Sequence, residues 1–208
     1  MREQWGRGRA MVAWAWVAAA ALGLQACGGG DDSSSPLSNP TTVGNPVNTG
    51  GQKLSFVYFQ RCIEPILQAT LPALQGGGAN SCAGAGCHDN VHGTGGALRV
   101  VVGAATVDLT NPGNTPDAVR ATDMYKNFYS AQGVVVVGSA SQSRLLAKPL
   151  LTVIHGGGQI FEDINDVNAA RIAYWINHPV PQGQDEFSAA ASVMFTPQNV
   201  NTGACNSQ

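Results

Sequence analysis

Apolar residues recur at near-helical spacing in four parts of the chain. The first part, 54–74, contains Pro65, which lacks the N–H group that an α-helix uses, so we expect one helix that is kinked or restarted there. The glycines at 76–78 are expected to end it. The other parts predict helices over 116–131, from Ser141 or Ser143 to 147, and, after Asp163 or Asn165, over 166–177. The packing face of the last helix is predicted to comprise Val167, Ile172, Trp175 and Ile176.

Strand signals are sparse. Two short β-branched runs, 97–102 and 133–137, predict single strands or extended loops. Beyond residue 179 there is no periodic pattern, and we expect an irregular tail. Glycine accounts for 26 of the 208 residues, as is typical of long loops. The pattern therefore predicts a mainly α fold with long glycine-rich loops and at most a few short strands.

The N-terminus has the three regions of an export signal. Three arginines lie in the first nine residues, and an uninterrupted apolar run follows over 11–24. A bilayer span needs about 20 apolar residues, so this run favours a signal peptide over 1–26. Leu24-Gln25-Ala26-Cys27 resembles the lipobox of bacterial lipoproteins, which implies that Cys27 is lipidated, for example with palmitate. Gly28 after it favours the outer membrane, and the alternative is an uncleaved anchor with an ordinary cysteine.

Segment 27–52 is predicted to be a disordered tether, because it has no aromatic residue and hardly any aliphatic one. Residues 53–208 are long enough for one domain with its own core. Without residues 1–26 the chain carries 8 Lys and Arg against 12 Asp and Glu, and the basic residues are not clustered. We therefore expect no nucleic-acid partner and a location in the cell envelope, lipid-anchored at the membrane.

The stretch NSCAGAGCHDN carries the most specific chemistry. If Cys27 is lipidated, four cysteines remain in an exported protein, and the simplest interpretation is two disulfides. His88 directly after Cys87 favours another interpretation. Two thiols and an adjacent imidazole are the groups that hold haem c, through two thioethers and one iron ligand. The usual spacing is C-x-x-C-H, whereas Cys82 and Cys87 bracket four residues, all small enough to bulge away.

The chain resembles small single-haem c-type cytochromes with large loops. An N-terminal helix, the Cys82–His88 motif and a C-terminal helix with Tyr174-Trp175-Ile176 occur in the order found in that family. Segments 95–100 (GGALRV), 143–149 and 155–158 (HGGG) look like other parts of such domains, so the resemblance covers most of 56–179 and extends to predicted cytochrome-like bacterial lipoproteins. It implies a cytochrome c-like helical domain, one haem c bound by Cys82, Cys87 and His88, and single-electron transfer with redox partner proteins of the cell envelope.

The resemblance also implies a sixth iron ligand, often Met, from the loop before the last helix. No Met lies between Met124 and Met194, but His155 occupies this loop and is followed by three glycines that would let the backbone approach the ring. His155 is thus the candidate ligand, and the alternative is a hydrogen-bonded surface histidine. His92 is too near the motif to reach the opposite face. His178 is expected to cap a helix, and Met124 to pack in the core.

Three functions remain open. The first is a membrane-tethered electron carrier with haem; if the haem uses Cys82 and Cys87, then Cys62 and Cys205 can form a disulfide. The second is a cofactor-free envelope lipoprotein stapled by disulfides, acting as a binding or structural module. The third is a haem peroxidase-like enzyme, in which the iron keeps an open side and His155 acts as an acid or base or stays off the iron. We assign no catalytic residue from the sequence.

Overall fold

The structure is a computed structural model, and it describes residues 51–74 and 79–208. The predicted signal peptide, Cys27, nearly all of the tether and the glycines at 76–78 lie outside the described residues. In the part of the chain that the structure describes, no helix has both the length and the apolar character that crossing a bilayer requires.

Short helices and two small two-stranded sheets make up the described residues. The α-helices are α1 (Phe56–Tyr58), α2 (Glu64–Gln68), α3 (Pro116–Arg120), α4 (Asp123–Gln132), α5 (Arg144–Ala147) and α6 (Val167–Asn177). A π-helix spans Phe59–Ile63, and 3-10 helices span Ala140–Gln142 and Ala189–Met194. The strands are β1 (Thr70–Pro72) with β2 (Ala79–Ser81), and β3 (Phe195–Thr196) with β4 (Ala204–Cys205), both pairs antiparallel.

The first helical run changes its hydrogen-bond spacing just before Pro65. Helix α1 begins at Ser55, whose side chain accepts a hydrogen bond from the N–H of Tyr58 at 3.1 Å. The π-helix follows, and α2 starts with Pro65 in its first turn, where a missing N–H does no harm. The restart at Pro65 is therefore confirmed. The helix ends at Gln68, however, and residues predicted to extend it to 74 form β1 instead.

Two further predictions need correction. The helix predicted over 116–131 is two helices, because Thr122 takes an extended backbone and its hydroxyl caps α4 by accepting from the N–H of Tyr125 at 3.2 Å. In α6, which is capped by Asp166, Val167 is 55% exposed and does not belong to the packing face. Val167 lies five residues before the buried Ile172, a spacing that puts it on a different side of the helix.

Aromatic rings hold the three main helical segments together. Phe59 of the π-helix packs against Phe128 of α4 and Trp175 of α6, with ring centroids 5.5 and 5.4 Å apart. All three side chains are fully buried, and the indole Nε1 of Trp175 donates to the carbonyl of Ser55 at 3.0 Å. The first helical run, α4 and α6 thus share one core.

The C-terminal segment is largely irregular, as the sequence predicts, but it also contains a 3-10 helix, β3 and β4, and it packs onto the core. The buried carboxylate of Glu186 accepts hydrogen bonds from Arg120 Nε at 3.0 Å and from the Tyr125 hydroxyl at 2.6 Å. Further along, Phe195 is fully buried, and Cys205 of β4 forms a disulfide with Cys62, their Cα atoms 6.0 Å apart. The disulfide is the pairing expected for these two cysteines. The Glu186 contacts join residues that are distant in sequence, so no local periodicity could reveal them.

Candidate functional site

The Cys82–His88 loop is anchored to the end of α2. Strand β2 leads into it, and the hydroxyl of Ser81 lies 3.1 Å from each of the carbonyl oxygens of Leu67 and Gln68. The N–H of Ala83 donates to the Leu67 carbonyl at 3.0 Å. The last carbonyls of a helix have no partner within it, so the loop satisfies groups that α2 leaves open.

Backbone hydrogen bonds close the loop on itself. The N–H of Cys87 donates to the Gly84 carbonyl at 2.8 Å, and the N–H of His88 donates to the Cys82 carbonyl at 2.9 Å. The second bond joins the two ends of the motif despite the widened spacing. Ala85 and Gly86 are exposed, whereas both cysteines are half-buried. Of the four small residues between the cysteines, Ala85 and Gly86 therefore bulge outward, whereas Ala83 is 3% exposed and packs in the core.

Cys82 and Cys87 are both free thiols, unlike Cys62 and Cys205. Burial, together with the neighbouring Cys87, raises the pKa of Cys82 to about 11. A thiol with such a pKa is protonated at neutral pH, and the thiolate is the nucleophilic form. Cys82 therefore does not have the character of a catalytic nucleophile.

His88 is held in the tautomer that a metal ligand needs. Its Nδ1 lies 3.1 Å from the carbonyl oxygen of Leu98. Because a carbonyl only accepts, Nδ1 carries the proton and Nε2 keeps its lone pair. Burial lowers the pKa of His88, which also favours the neutral ring, although the Leu98 bond acts in the opposite direction. Metal-binding histidines usually show this arrangement, with the second ring nitrogen donating to a carbonyl.

Two glycines allow the chain to wrap closely around His88. A Cβ atom on Gly95 would lie 2.6 Å from Cε1 and Nδ1 of His88 and 2.7 Å from the Cys87 carbonyl oxygen. On Gly93 it would lie 2.5 Å from the Asp89 carbonyl oxygen. Gly95 is therefore a steric requirement of the way this loop packs on the imidazole, and Gly93 of the way it packs on the backbone at Asp89.

His155 has the same tautomer as His88. Its Nδ1 lies 2.7 Å from the carbonyl oxygen of Gly158, so here too the proton is on Nδ1 and Nε2 is available. Gly158 has a positive φ of 73°, which glycine adopts without strain. A Cβ on Gly157 would lie 3.1 Å from Cε1 of His155. Glycines at 157 and 158 are thus needed to fold the loop around its own histidine.

The imidazoles of His88 and His155 lie close together. The ring centroids of His88 and His155 are 6.4 Å apart, and their planes differ by 14°. A metal ion bound by one nitrogen of each ring at about 2 Å would separate the ring centres by roughly 6 Å. The structure therefore brings together two sequence-predicted histidines that are distant along the chain, at a separation that suits one shared metal ion.

The other histidines have local contacts instead. His92 is exposed and lies 3.4 Å from a carboxylate oxygen of Asp89. His178 ends α6, and its Nδ1 donates to the carbonyl of Tyr174 at 2.8 Å, so the predicted capping role is confirmed. Met124 is 2% exposed and packs in the core, as predicted. Of the four histidines of the chain, His88 and His155 are the two whose rings lie close together.

Within residues 51–74 and 79–208, no group of three or more His, Cys, Asp or Glu side chains is arranged to hold a bare metal ion. A pair of histidines is smaller than such a group. A separate groove of about 510 Å³ lies against α5 and α6, lined in part by Leu146, Leu150 and Ala173. None of the predicted site residues lines this groove.

Sequence reasoning did not identify the groups that orient the two rings. The carbonyls of Leu98 and Gly158 carry no side-chain signature, and only the glycines beside them were visible in the sequence.

No family model matches the chain, and neither a curated protein nor a solved structure matches it. The function therefore has to be argued from the chain's own residues.

Proposed function

We propose that this protein is a c-type cytochrome that carries single electrons through one covalently attached haem. In this proposal Cys82 and Cys87 form the thioethers, and His88 and His155 bind the iron from its two sides. Haem c supplies an iron that alternates between the ferric and ferrous states. The pairing of His88 with His155 is the observation that carries the proposal.

The local chemistry of each residue supports these roles. Both imidazoles have a protonated Nδ1 on a backbone carbonyl and a free Nε2, which fixes the ring orientation before any ligand binds. Two free cysteines lie before His88, Cys87 directly and Cys82 six residues earlier, on a loop whose ends are joined by a hydrogen bond. Two histidine ligands leave no open position on the iron. This favours electron transfer over peroxidase-like chemistry and predicts a lower potential than His/Met ligation gives.

The cell-envelope part of the proposal depends on residues 1–52. Lipid on Cys27 would hold the domain near the membrane through the tether that the sequence predicts, where redox partner proteins of the envelope could reach it. Replacing Cys27 with Ala should release the protein from the membrane fraction and leave its haem spectrum unchanged. A variant that stays with the membrane would contradict the lipid anchor.

Haem attachment can be tested directly. The protein is expressed in a periplasm that contains the haem-attachment machinery, and the pyridine haemochrome spectrum is recorded before and after acid–acetone extraction. The wild type should retain its haem. Cys82→Ala and Cys87→Ala should each show a shifted α-band or lose haem on extraction. A wild type without haem would refute the proposal and favour the cofactor-free lipoprotein.

Axial ligation needs its own comparison. The ferric wild type should be low-spin and lack the near-infrared band of thioether-ligated haem. His155→Ala should become high-spin and bind cyanide or carbon monoxide readily, because one side of the iron is then open. His92→Ala is the matched control, an exposed histidine close to the motif, and should stay low-spin. A wild type that is already high-spin would favour the peroxidase-like alternative.

A further inference from the structure

A strained turn places a leucine beside the groove that lies against α5 and α6. In the part of the chain that the structure describes, Leu151 is the only residue other than glycine with a positive φ, 59°. Its N–H donates to the carbonyl of Lys148 at 2.9 Å, and the N–H of Thr152 donates to that of Ala147 at 3.0 Å. Paired bonds of this kind end helices and usually place glycine in the left-handed position. Leucine there costs stability, because its Cβ crowds the backbone.

Packing of the Leu151 side chain does not account for this cost. It is 39% exposed, so the core gains only part of the burial that a leucine offers. Leu150 and Thr152, on either side of it, line the groove together with Ile164, which is 49% exposed. Val153 is 45% exposed. We call the exposed side chains Leu151, Val153 and Ile164 the apolar rim. A strained residue that stays at the surface points to a role outside the fold.

The groove beside the apolar rim has no charge of its own. Among the described residues that line it, none is charged, and the polar ones are two serines, Thr152 and Asn177. A neutral surface with an apolar floor offers nothing to hold an ionic ligand. Acyl chains and the adjoining headgroup layer of a bilayer, in contrast, accept exposed aliphatic side chains. The chemistry of the groove and the rim therefore suits a lipid surface.

The first described residues lie at the same end of α6 as the groove. The N–H of Val180 donates to the carbonyl of Lys53 at 2.8 Å. Val180 follows the groove residue Asn177 by three positions, which span at most about 11 Å. The chain that joins Cys27 to the domain therefore enters the domain next to the groove, and a lipid on Cys27 would bring this side towards the bilayer.

We propose that the apolar rim and the groove are a membrane-contacting face, which docks on the surface of the same bilayer that holds the lipid on Cys27. The inference rests on the lipid anchor of the proposed function and is independent of the haem. The anchor keeps the domain close to the bilayer, and the face then fixes its orientation there. Leu151 keeps its unfavourable conformation because its side chain is used on the membrane.

The test maps where lipid touches the domain. The lipid-anchored full chain is placed in phosphatidylcholine vesicles that include a phosphatidylcholine with a photoreactive group on its acyl chain, and the labelled peptides are identified by mass spectrometry. In the wild type the label should concentrate on the peptides that contain 150–153 and Ile164. Leu151→Asn should reduce labelling of the Ile164 peptide, and Ile164→Asn that of the 150–153 peptide, each by about tenfold, because a buried aliphatic side chain contributes about that factor.

A control and a stability measurement separate the membrane role from a role in the fold. Val193→Asn replaces a valine that is 56% exposed in the 3-10 helix Ala189–Met194, and it should label as the wild type does. Asparagine adopts the left-handed conformation more readily than leucine, so Leu151→Asn should keep or raise the melting temperature while it loses labelling. A lower melting temperature of Leu151→Asn would show that this leucine serves the fold, and would overturn the inference.

The remaining outcomes separate the inference from the proposed function. If the wild type floats with the vesicles but its label is spread evenly or lies outside the rim peptides, the membrane-contacting face is refuted while the lipid anchor stands. If the wild type does not float with the vesicles, the lipid anchor fails and the inference fails with it. The haem spectrum of the same samples reports on the cytochrome proposal in either case.

Discussion

A methyl group on Gly95 tests how the loop packs on His88. In Gly95→Ala the new Cβ would lie 2.6 Å from two ring atoms of His88 and 2.7 Å from the Cys87 carbonyl oxygen. The ring could turn, but the carbonyl belongs to the backbone of the motif, and the N–H of Gly95 donates to it at 2.7 Å. Relief of the clash must therefore displace the loop, the ring or both.

The expected cost follows from this geometry. Forcing an extra methyl into a packed site typically destabilises a protein by about 1–3 kcal/mol. A displaced ring would also weaken the bond from Nδ1 to Leu98, which contributes about 1 kcal/mol. For a domain of this size a loss of 1 kcal/mol lowers the melting temperature by roughly 2–4 °C. The two contributions together are about 2–4 kcal/mol, so we expect Gly95→Ala to lower the melting temperature by about 4–16 °C.

Gly86→Ala is the matched control in the same loop. A Cβ on Gly86 would have no atom within 4 Å, and its φ is not positive, so the substitution should be neutral or slightly stabilising. Thermal unfolding followed by circular dichroism compares the two variants in the absence of haem. Equal melting temperatures would show that Gly95 does not pack on His88 as described.

Two further predictions concern the scaffold. Replacing Cys62 and Cys205 together by Ala opens a loop of 143 residues. In the chain-entropy model this should lower the free energy of unfolding, measured in urea, by about 5 kcal/mol. An unchanged urea midpoint would contradict this. Burial raises the pKa of Glu64, so the folded state binds its proton more tightly, and stability should fall as the pH rises from about 4.3 towards the raised value. Glu64→Gln should remove this fall, whereas the exposed Glu162→Gln should keep it; parallel stability curves for wild type and Glu64→Gln would refute the assignment.

The elements that the sequence predicts well are those with local causes. Pro65 restarts the first helix because its own ring lacks an N–H, and the buried face of α6 follows from helical spacing. Predictions fail where a side chain has a competing partner. Ser143 precedes α5 as expected, but its hydroxyl accepts the N–H of Val136 at 2.9 Å instead of capping the helix. Of 97–102, only Val100 makes a strand-like bridge, to Asp89.

The candidate site, too, could be predicted from the sequence only in part. Cys82, Cys87 and His88 could be read from one short motif, and His155 from its place in a glycine-rich loop, because metal-binding chemistry depends on residue type. The proximity of His88 and His155 could not be predicted from the sequence, since 66 residues separate them and the chain between them includes α3, α4 and α5. Their orienting partners are main-chain carbonyls. Every residue has such a carbonyl, so the sequence does not show which ones will orient a ring.

The effect of the widened motif spacing depends on the path of the backbone more than on the number of residues between the cysteines. The N–H groups of Cys87 and Asp89 both donate to the Gly84 carbonyl, at 2.8 and 3.3 Å, and that of His88 returns to Cys82. A Cβ on Gly84 would lie 3.0 Å from the Ser81 carbonyl oxygen, so this turn is tight, whereas Gly86 faces open space. The extra residues therefore extend the exposed part of the loop. The hydrogen bond from the N–H of His88 to the carbonyl of Cys82 fixes the backbone of His88 relative to Cys82, which is why the two ends of the longer motif still lie together.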